Sequence, residues 1–434
     1  MGKWYKSVIS MAVVTVILGT LSGCSGSKDT AGKTSKHITL TMWQQWGGGH
    51  EESELKSLIK QYEALHPNIT IEETPVTDNS KILTAISGGN PPDIIDLGGT
   101  GVIGQWASKG ALTDLTPYIK KDKTFKKSNF IQSGWDSVTM DGKVYGIPFM
   151  NFDAALLYNK KLFAEAGITN PPTTLEELTE DAYKLTKIDS NGKITQAGFI
   201  PDFPGSNLKT FGWLFGGQWF DSKGNATGNN PQIQDAIKWE KQFYDKYGAQ
   251  KIANFVKSSG AYLTAQDPFQ SGKIAMVLDG PWVISYIEEN NPDMAKNIGV
   301  VPLPAPANNS STTGTTYVDT NPQIIPAGAK HPDEAWKFIS WVTTNPKIAG
   351  EFATMVANLP QIKDSENFKL ESNPLYKVFI DGANSSNAHA WPQTTMSSEF
   401  QTKLVNVEQD ILYGKSNALK AMKDLDKEVN SSGQ

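Results

Sequence analysis

Apolar residues alternate through Ile38-Thr39-Leu40-Thr41-Met42-Trp43, the period of a strand with one buried face. The glycine run Gly47-Gly48-Gly49 bounds it, and Leu55, Leu58, Ile59, Tyr62 and Leu65 then recur at helical spacing up to His66-Pro67. A second strand is predicted over Ile69 to Val76, a helix around Lys81 to Ile86, and a buried parallel strand within Pro91 to Leu97. This alternation is the βαβ rhythm of a doubly wound sheet. Beyond Val144, strands are predicted at Ala154 to Tyr158, Gly198 to Ile200, Ile274 to Leu278, Ile298 to Leu303 and Pro322 to Pro326.

Helices are predicted over Asn159 to Ala166, over Leu175 to Leu185, and over Asp333 to Val342. For the second of these, Thr174 is placed to cap and Glu177 to reach back as a capping box. Two further helices close the chain, one with Phe400, Leu404, Val407 and Ile411 on its apolar face, the other with Ala418, Met422, Leu425 and Val429. Trp239, Trp336 and Trp341 sit on helical faces and read as core.

The N-terminus breaks this pattern. Lys3 and Lys6 precede an apolar run from Val8 to Thr20, too short to span a bilayer comfortably, followed by Leu21-Ser22-Gly23-Cys24. That order is an export signal, and Leu-Ser-Gly-Cys resembles the lipobox of bacterial lipoproteins, in which the cysteine is acylated and becomes the new terminus. Cys24 is the single cysteine of 434 residues, so no internal disulfide is possible. The small polar stretch from Ser25 to Lys36 reads as a tether.

Composition narrows the ligand. Loss of Lys3 and Lys6 takes the formal net charge from −5 to −7, which argues against nucleic acid as a partner. All 40 basic residues are lysine, so the planar fork that best clamps carboxylates and phosphates is missing. Twelve tryptophans suit stacking on sugar faces as well as packing. The five histidines are scattered without metal-ligand spacing, and neither a nucleophile elbow nor a phosphate loop occurs. No cofactor, no metal and no catalytic residue is expected.

A set of short motifs carries a family resemblance. Pro92-Asp93-Ile94-Ile95 comes first, followed by Asp141-Gly142-Lys143-Val144-Tyr145-Gly146-Ile147-Pro148 with Tyr158-Asn159-Lys160. Phe269 to Met276 with Gly280-Pro281-Trp282, then Val301-Pro302-Leu303-Pro304, His331 to Phe338 and Tyr413-Gly414-Lys415 complete the order. Together they resemble extracellular solute-binding proteins of the maltose-binding type, over roughly Ile38 to Val429. The resemblance implies an α/β fold of two lobes, with a hinge of more than one crossing strand and a solute closed in the cleft. It implies a signal peptide over 1–23, a tether over 24–36, an N-lobe of 37–149 plus 320–364, and a C-lobe of 150–319 plus 365–434. It further implies a monomer outside the cytoplasm, lipid-anchored at Cys24 to the outer face of a Gram-positive type cell membrane. There it would deliver a neutral di- or oligosaccharide to the transmembrane subunits of an ATP-binding-cassette importer.

Candidate ligand contacts are residues at the carboxyl ends of predicted strands, where open α/β sheets bind. In the first lobe these are Trp43, Gln44, Gln45 and Trp46, then Asp96 and Thr100, with Asn151 and Asp153 just past the lobe crossing. In the second they are Trp213, Asp279 and Trp282, with Tyr317 and Trp391 behind them. The resemblance puts Trp282 at a stacking position. Trp43, Tyr317 and Trp391 serve equally well as packing residues, Asp96 as a structural carboxylate, and Asn151 and Asp153 as a hinge turn. Two other readings stay open: a secreted carbohydrate-active enzyme, which needs two carboxylates at controlled separation, and a binding protein for a polyol, a glycerol phosphate ester or a peptide.

Overall fold

The computed structural model describes residues 36–47, 49–205 and 207–432. The expected signal segment, Cys24 and the tether up to residue 35 lie outside the described residues. Strand β1 (Ile38–Gln44) buries Leu40 and Met42 and exposes Thr39 and Thr41, as its alternation demands. β2 (Ile69–Pro75) and β3 (Ile94–Asp96) flank it in parallel, through the helices Gly49–Leu65 and Asn79–Ser87. The first of these helices buries Leu55, Leu58, Ile59 and Tyr62, each side chain contributing about 1.5–3 kcal/mol by transfer. Leu65, expected on the same face, is 64% exposed because the helix ends there, beyond the sheet.

β4 (Ile147–Phe152) follows a hairpin whose turn is Asp141-Gly142, both at positive φ (51° and 74°). Such a pair is the signature of a two-residue turn matched to strand twist. β5 (Ala155–Asn159) then leaves for a second sheet, where β6 (Met276–Asp279) and β7 (Ile298–Val301) flank it, both antiparallel. β8 (Asp319–Ile324) returns to the first sheet between β3 and β4, and β9 (Leu359–Pro360) ends it. The first sheet therefore runs β9-β4-β8-β3-β1-β2, and the second β6-β5-β7. The doubly wound rhythm holds for β1 to β3 alone; β8 is antiparallel to both neighbours.

The chain crosses between the two sheets three times: from β4 to β5, from β7 to β8, and from β9 to the helix Pro374–Ala383, which packs on β5 and β7. Each sheet is covered on both faces. Met42, Tyr62, Phe149 and Phe338 fill one side of the first sheet, and Ile95, Trp106 and Ile324 the other. Leu156, Phe211 and Trp391 fill one side of the second, and Leu157, Ile284 and Phe379 the other.

Several helices begin at Asn-Pro, namely Asn230-Pro231, Asn291-Pro292, Asn345-Pro346 and Asn373-Pro374. In each the asparagine side chain accepts from an N–H of the first turn, and the proline fills a position whose own N–H has no helical acceptor. Thr174 caps the helix Leu175–Leu185 as expected, its hydroxyl accepting from the Glu177 N–H at 3.1 Å. Glu177 reaches one residue further back than a capping box requires, to the N–H and hydroxyl of Thr173, both at 2.7 Å. The expected strand Gly198 to Ile200 does not form; the chain makes a single bridge just before it, between Ala197 and Ile274, and Gly198 lies close against Ala182 of the helix Leu175–Leu185.

Asp93, in the Pro92-Asp93 motif, is a structural clasp. It accepts from the Thr41 N–H (2.9 Å) and hydroxyl (3.1 Å) and from the His331 N–H (2.8 Å), fixing β1 to the start of the helix Pro332–Thr344.

Candidate functional site

Residues from both halves enclose a cavity of about 340 Å³ at the carboxyl ends of β1 and β3, beside the amino-terminal half of the antiparallel β8. Gln45, Trp46, Glu51, Gly98, Asn321 and Asn358 face it from the first half. Phe152, Tyr262, Leu263 and Trp282 complete it. A second space of about 330 Å³ adjoins it along the first half, shares Gln45 and Gly98, and reaches Asp96.

Trp282 opens the helix Trp282–Asn290 directly after β6. Its indole N–H donates to the Tyr262 hydroxyl at 2.8 Å, and that hydroxyl donates to the Asp279 carboxylate at 2.8 Å. The ring stands edge-on to Phe152, centroids 5.8 Å apart at 82°. It also lies over the backbone of Gly280, where a Cβ would come within 2.1 Å of ring atoms. The Gly-Pro-Trp sequence thus makes room for the ring as well as turning the chain, and the hydrogen-bond relay holds it half-buried at the cavity wall.

Asp279 also accepts from the Gly280 N–H at 2.8 Å. Burial pushes its pKa up to about 7, against these two hydrogen bonds. Asp96 behaves alike: burial raises it to about 7, while the Trp46 indole N–H (3.2 Å) and the Gln323 amide (2.5 Å) oppose the shift. Burial likewise raises the pKa of Glu51, against the opposing effects of His50 and the Tyr286 hydroxyl. Among the described residues that line the cavity there is no lysine. Buried Asn321 leaves its amide oxygen unpartnered there, an acceptor awaiting a donor. The walls are aromatic and amide, with carboxyls held toward their neutral form.

The halves touch on both sides of this cavity. His50 lies 3.9 Å from Glu289 and its ring packs near Tyr286. Opposite, the Gly104 N–H donates to Gln393 of the second half at 3.2 Å. Beside it the Thr100 N–H (3.1 Å) and hydroxyl (2.6 Å) donate to Asp319 at the start of β8, which also accepts from the Tyr317 hydroxyl at 2.6 Å. The Lys209 ammonium sits 3.9 Å over the Tyr317 ring and donates to Gln401 at 3.2 Å. Burial lowers its pKa to about 8, while the charges of Asp319 and Glu408 pull it back up.

The family model for bacterial extracellular solute-binding proteins matches residues 47–348. The chain belongs to that family. The mannotriose-bound structure of CpMnBP1 superposes with a TM-score of 0.82 at 33% identity, covering 90% of this chain and all of that one. The maltotriose-binding protein of Pyrococcus abyssi is 27% identical over 72% of this chain; the match spans 64% of that relative, slightly under two thirds. The diacetylchitobiose binding protein DasA of Streptomyces coelicolor is 25% identical over 85% of this chain and 84% of its own. The two sheets, the repeated crossings and the cavity between them are those of an extracellular solute-binding protein. Among the described residues no helix is long and apolar enough to cross a membrane.

Of the residues expected to meet ligand, this solute-binding protein gathers Trp46, Asp279 and Trp282 at the cavity, Asp279 acting through Tyr262, with Asp96 beside it. Thr100, Trp213 and Tyr317 meet in the neighbouring Asp319 cluster, where Trp213 stacks on His389 (4.9 Å, 9°) and on Tyr317. Others were expected at the ligand and lie elsewhere. Trp43 packs beside the helix Asn79–Ser87, under Lys81. Gln44 is wholly buried and donates to Glu73. Trp391 is 1% exposed in the second core. Asn151 points to the face of β4 opposite Phe152, and Asp153 is buried against Gly382. Tyr262, Asn321 and Asn358 carried no signal in the sequence, and Phe152 only that of an aromatic beside the crossing.

Proposed function

We propose that the chain captures a neutral di- or oligosaccharide in the cavity at Trp282 and hands it to the transmembrane subunits of an ATP-binding-cassette importer. The observation that carries this is the fixed indole of Trp282 in the same cavity wall as Asn321, whose amide oxygen has no partner. An apolar plate with nearby amides suits a sugar ring, which presents a C–H face and hydroxyl edges. An anionic solute would meet no lysine among the described lining residues. The lobes on this reading are 37–149 with 320–364 and 150–319 with 365–434.

The mannotriose-bound relative makes manno-oligosaccharides the first members of the ligand panel, followed by maltotriose and diacetylchitobiose. A thermal-shift screen tests the assignment: a bound sugar at a hundred times its Kd raises stability by about 2.7 kcal/mol. A panel with no shift, or one that shifts only with phosphorylated or peptide ligands, overturns it. Sugar turnover by the purified protein would place it among enzymes instead. Acyl chains on Cys24 keep the binder beside its permease as a monomer on the outer face of the membrane and raise its local concentration there. Cys24→Ser should release it from membranes or leave the signal uncleaved, and unchanged membrane retention after cleavage overturns the anchor.

A further inference from the structure

β4 has a second face. Phe152 turns toward the sugar cavity, and side chains alternate along a strand, so Asn151 turns away from it. On that far side lies a separate cavity of about 210 Å³ with Asn151 in its lining, next to its cross-strand partner Leu359. Its walls are mixed: Leu359 and Ile362 from the first half and Phe368 and Ile380 from the segment that crosses to the second are apolar, and Lys363 and Glu371 also line it. Ser365 and Asn384 stand at a polar rim.

Asn151 is wholly buried, yet neither its amide oxygen nor its amide nitrogen has a partner. A primary amide left unpaired in the interior is destabilising, because its lost hydrogen bonds to water are not replaced. Asp153, two residues on, also has both carboxylate oxygens unpartnered, and it lies against Gly382 of the helix that supplies Ile380. Such groups persist where something else satisfies them. The space exceeds the share of several waters, about 30 Å³ each, and falls below the 300 Å³ or so at which drug-sized pockets begin. An occupant that offers a donor and an acceptor side by side and has an apolar flank suits both this size and this amide.

We propose that the cavity behind β4 is a second binding site, for a monosaccharide or small polyol whose adjacent hydroxyls pair with the Asn151 amide. Both halves wall it, so its occupant senses their mutual angle. In this structure the front contacts between the halves at His50 and Gln393 are made while the rear cavity stands open. A rear ligand therefore favours the same arrangement and strengthens binding at the front, and by reciprocity the front ligand strengthens the rear.

The test uses the mature chain with D-mannose and glycerol as probes, followed by calorimetry and by chemical shifts of an isotope-labelled Asn151 amide. One equivalent of probe should bind and move that signal. Binding should survive Trp282→Ala, and should weaken about tenfold or more in Asn151→Leu. Asn384→Trp, a change at the exposed rim, should block the site even if the buried substitution fails to fold. Probe binding that vanishes with Trp282→Ala, or that neither rear variant weakens, overturns the site, as does the absence of any binding at millimolar probe. Because Trp282→Ala disables only the front, failure of the rear site and failure of the oligosaccharide assignment give different results.

Discussion

Two tryptophans show what separates a recognition surface from a core. Around Trp282 the indole N–H has a partner, the ring edge meets Phe152, and the rest borders open space. Around Trp391 the ring is sealed among Trp213, Trp219, Phe220 and Phe400, with its N–H unpartnered. Both follow loops and both have aromatic neighbours. The difference lies in the hydrogen bonding: a ring that must hold one pose against solvent is tethered by its polar edge, while a packed ring is held by its neighbours alone.

The contrast has measurable consequences. The largest effect is on stability: Trp391→Ala opens a void in the second core and should cost about 3–5 kcal/mol in denaturant unfolding. Retained stability in that variant would mean the ring is not packed as described. Trp282→Ala should leave the melting temperature close to wild type and lower oligosaccharide affinity at least tenfold, about 1.4 kcal/mol by calorimetry. Equal affinity would remove the ring from the site.

Tyr262→Phe keeps an aromatic ring in the cavity wall and cuts the relay from Trp282 to Asp279. A loss of about 0.5–1.5 kcal/mol in affinity is expected, the worth of one hydrogen bond. No loss would show that Gly280 and Phe152 suffice to pose the indole.

The smallest effect is a pH slope. Asp279 and Asp96 titrate near 7 in the folded chain, against an ordinary carboxyl near 4. Between those values the folded state holds protons that the unfolded state has released, so stability falls as pH rises through about 4 to 7 and stays lowered above. Asp279→Asn should flatten the dependence of melting temperature on pH across that window. An unchanged slope would sink the assignment of that carboxyl as buried and proton-holding.

Much of the frame is legible in the sequence, because it rests on local periodicity. β1 to β3, the helix after Thr174 and the two C-terminal helices all announce themselves through spacing and caps. The Asn-Pro starts at Asn230 and Asn373 carried an equally local signal that periodicity alone passes over. The site is less legible. Trp282 and Asp279 are flagged by the strand end they follow, but Tyr262 reaches them from a loop, and Asn321 and Asn358 arrive on strands and turns far along the chain. Asn151 illustrates the sharpest limit: one step of strand register decides which side of β4 it serves, and no residue type encodes that step.

The three passages of the chain between its sheets set what kind of movement is open to it. A single thread would let the halves swivel freely, and a random swivel would destroy the match between the indole and the amides across from it. Three threads side by side behave like the spine of a book: the covers swing open and shut but do not turn against each other. Each return to the shut position therefore restores the same pairing of groups, so the grip on a solute is reproducible from one cycle to the next.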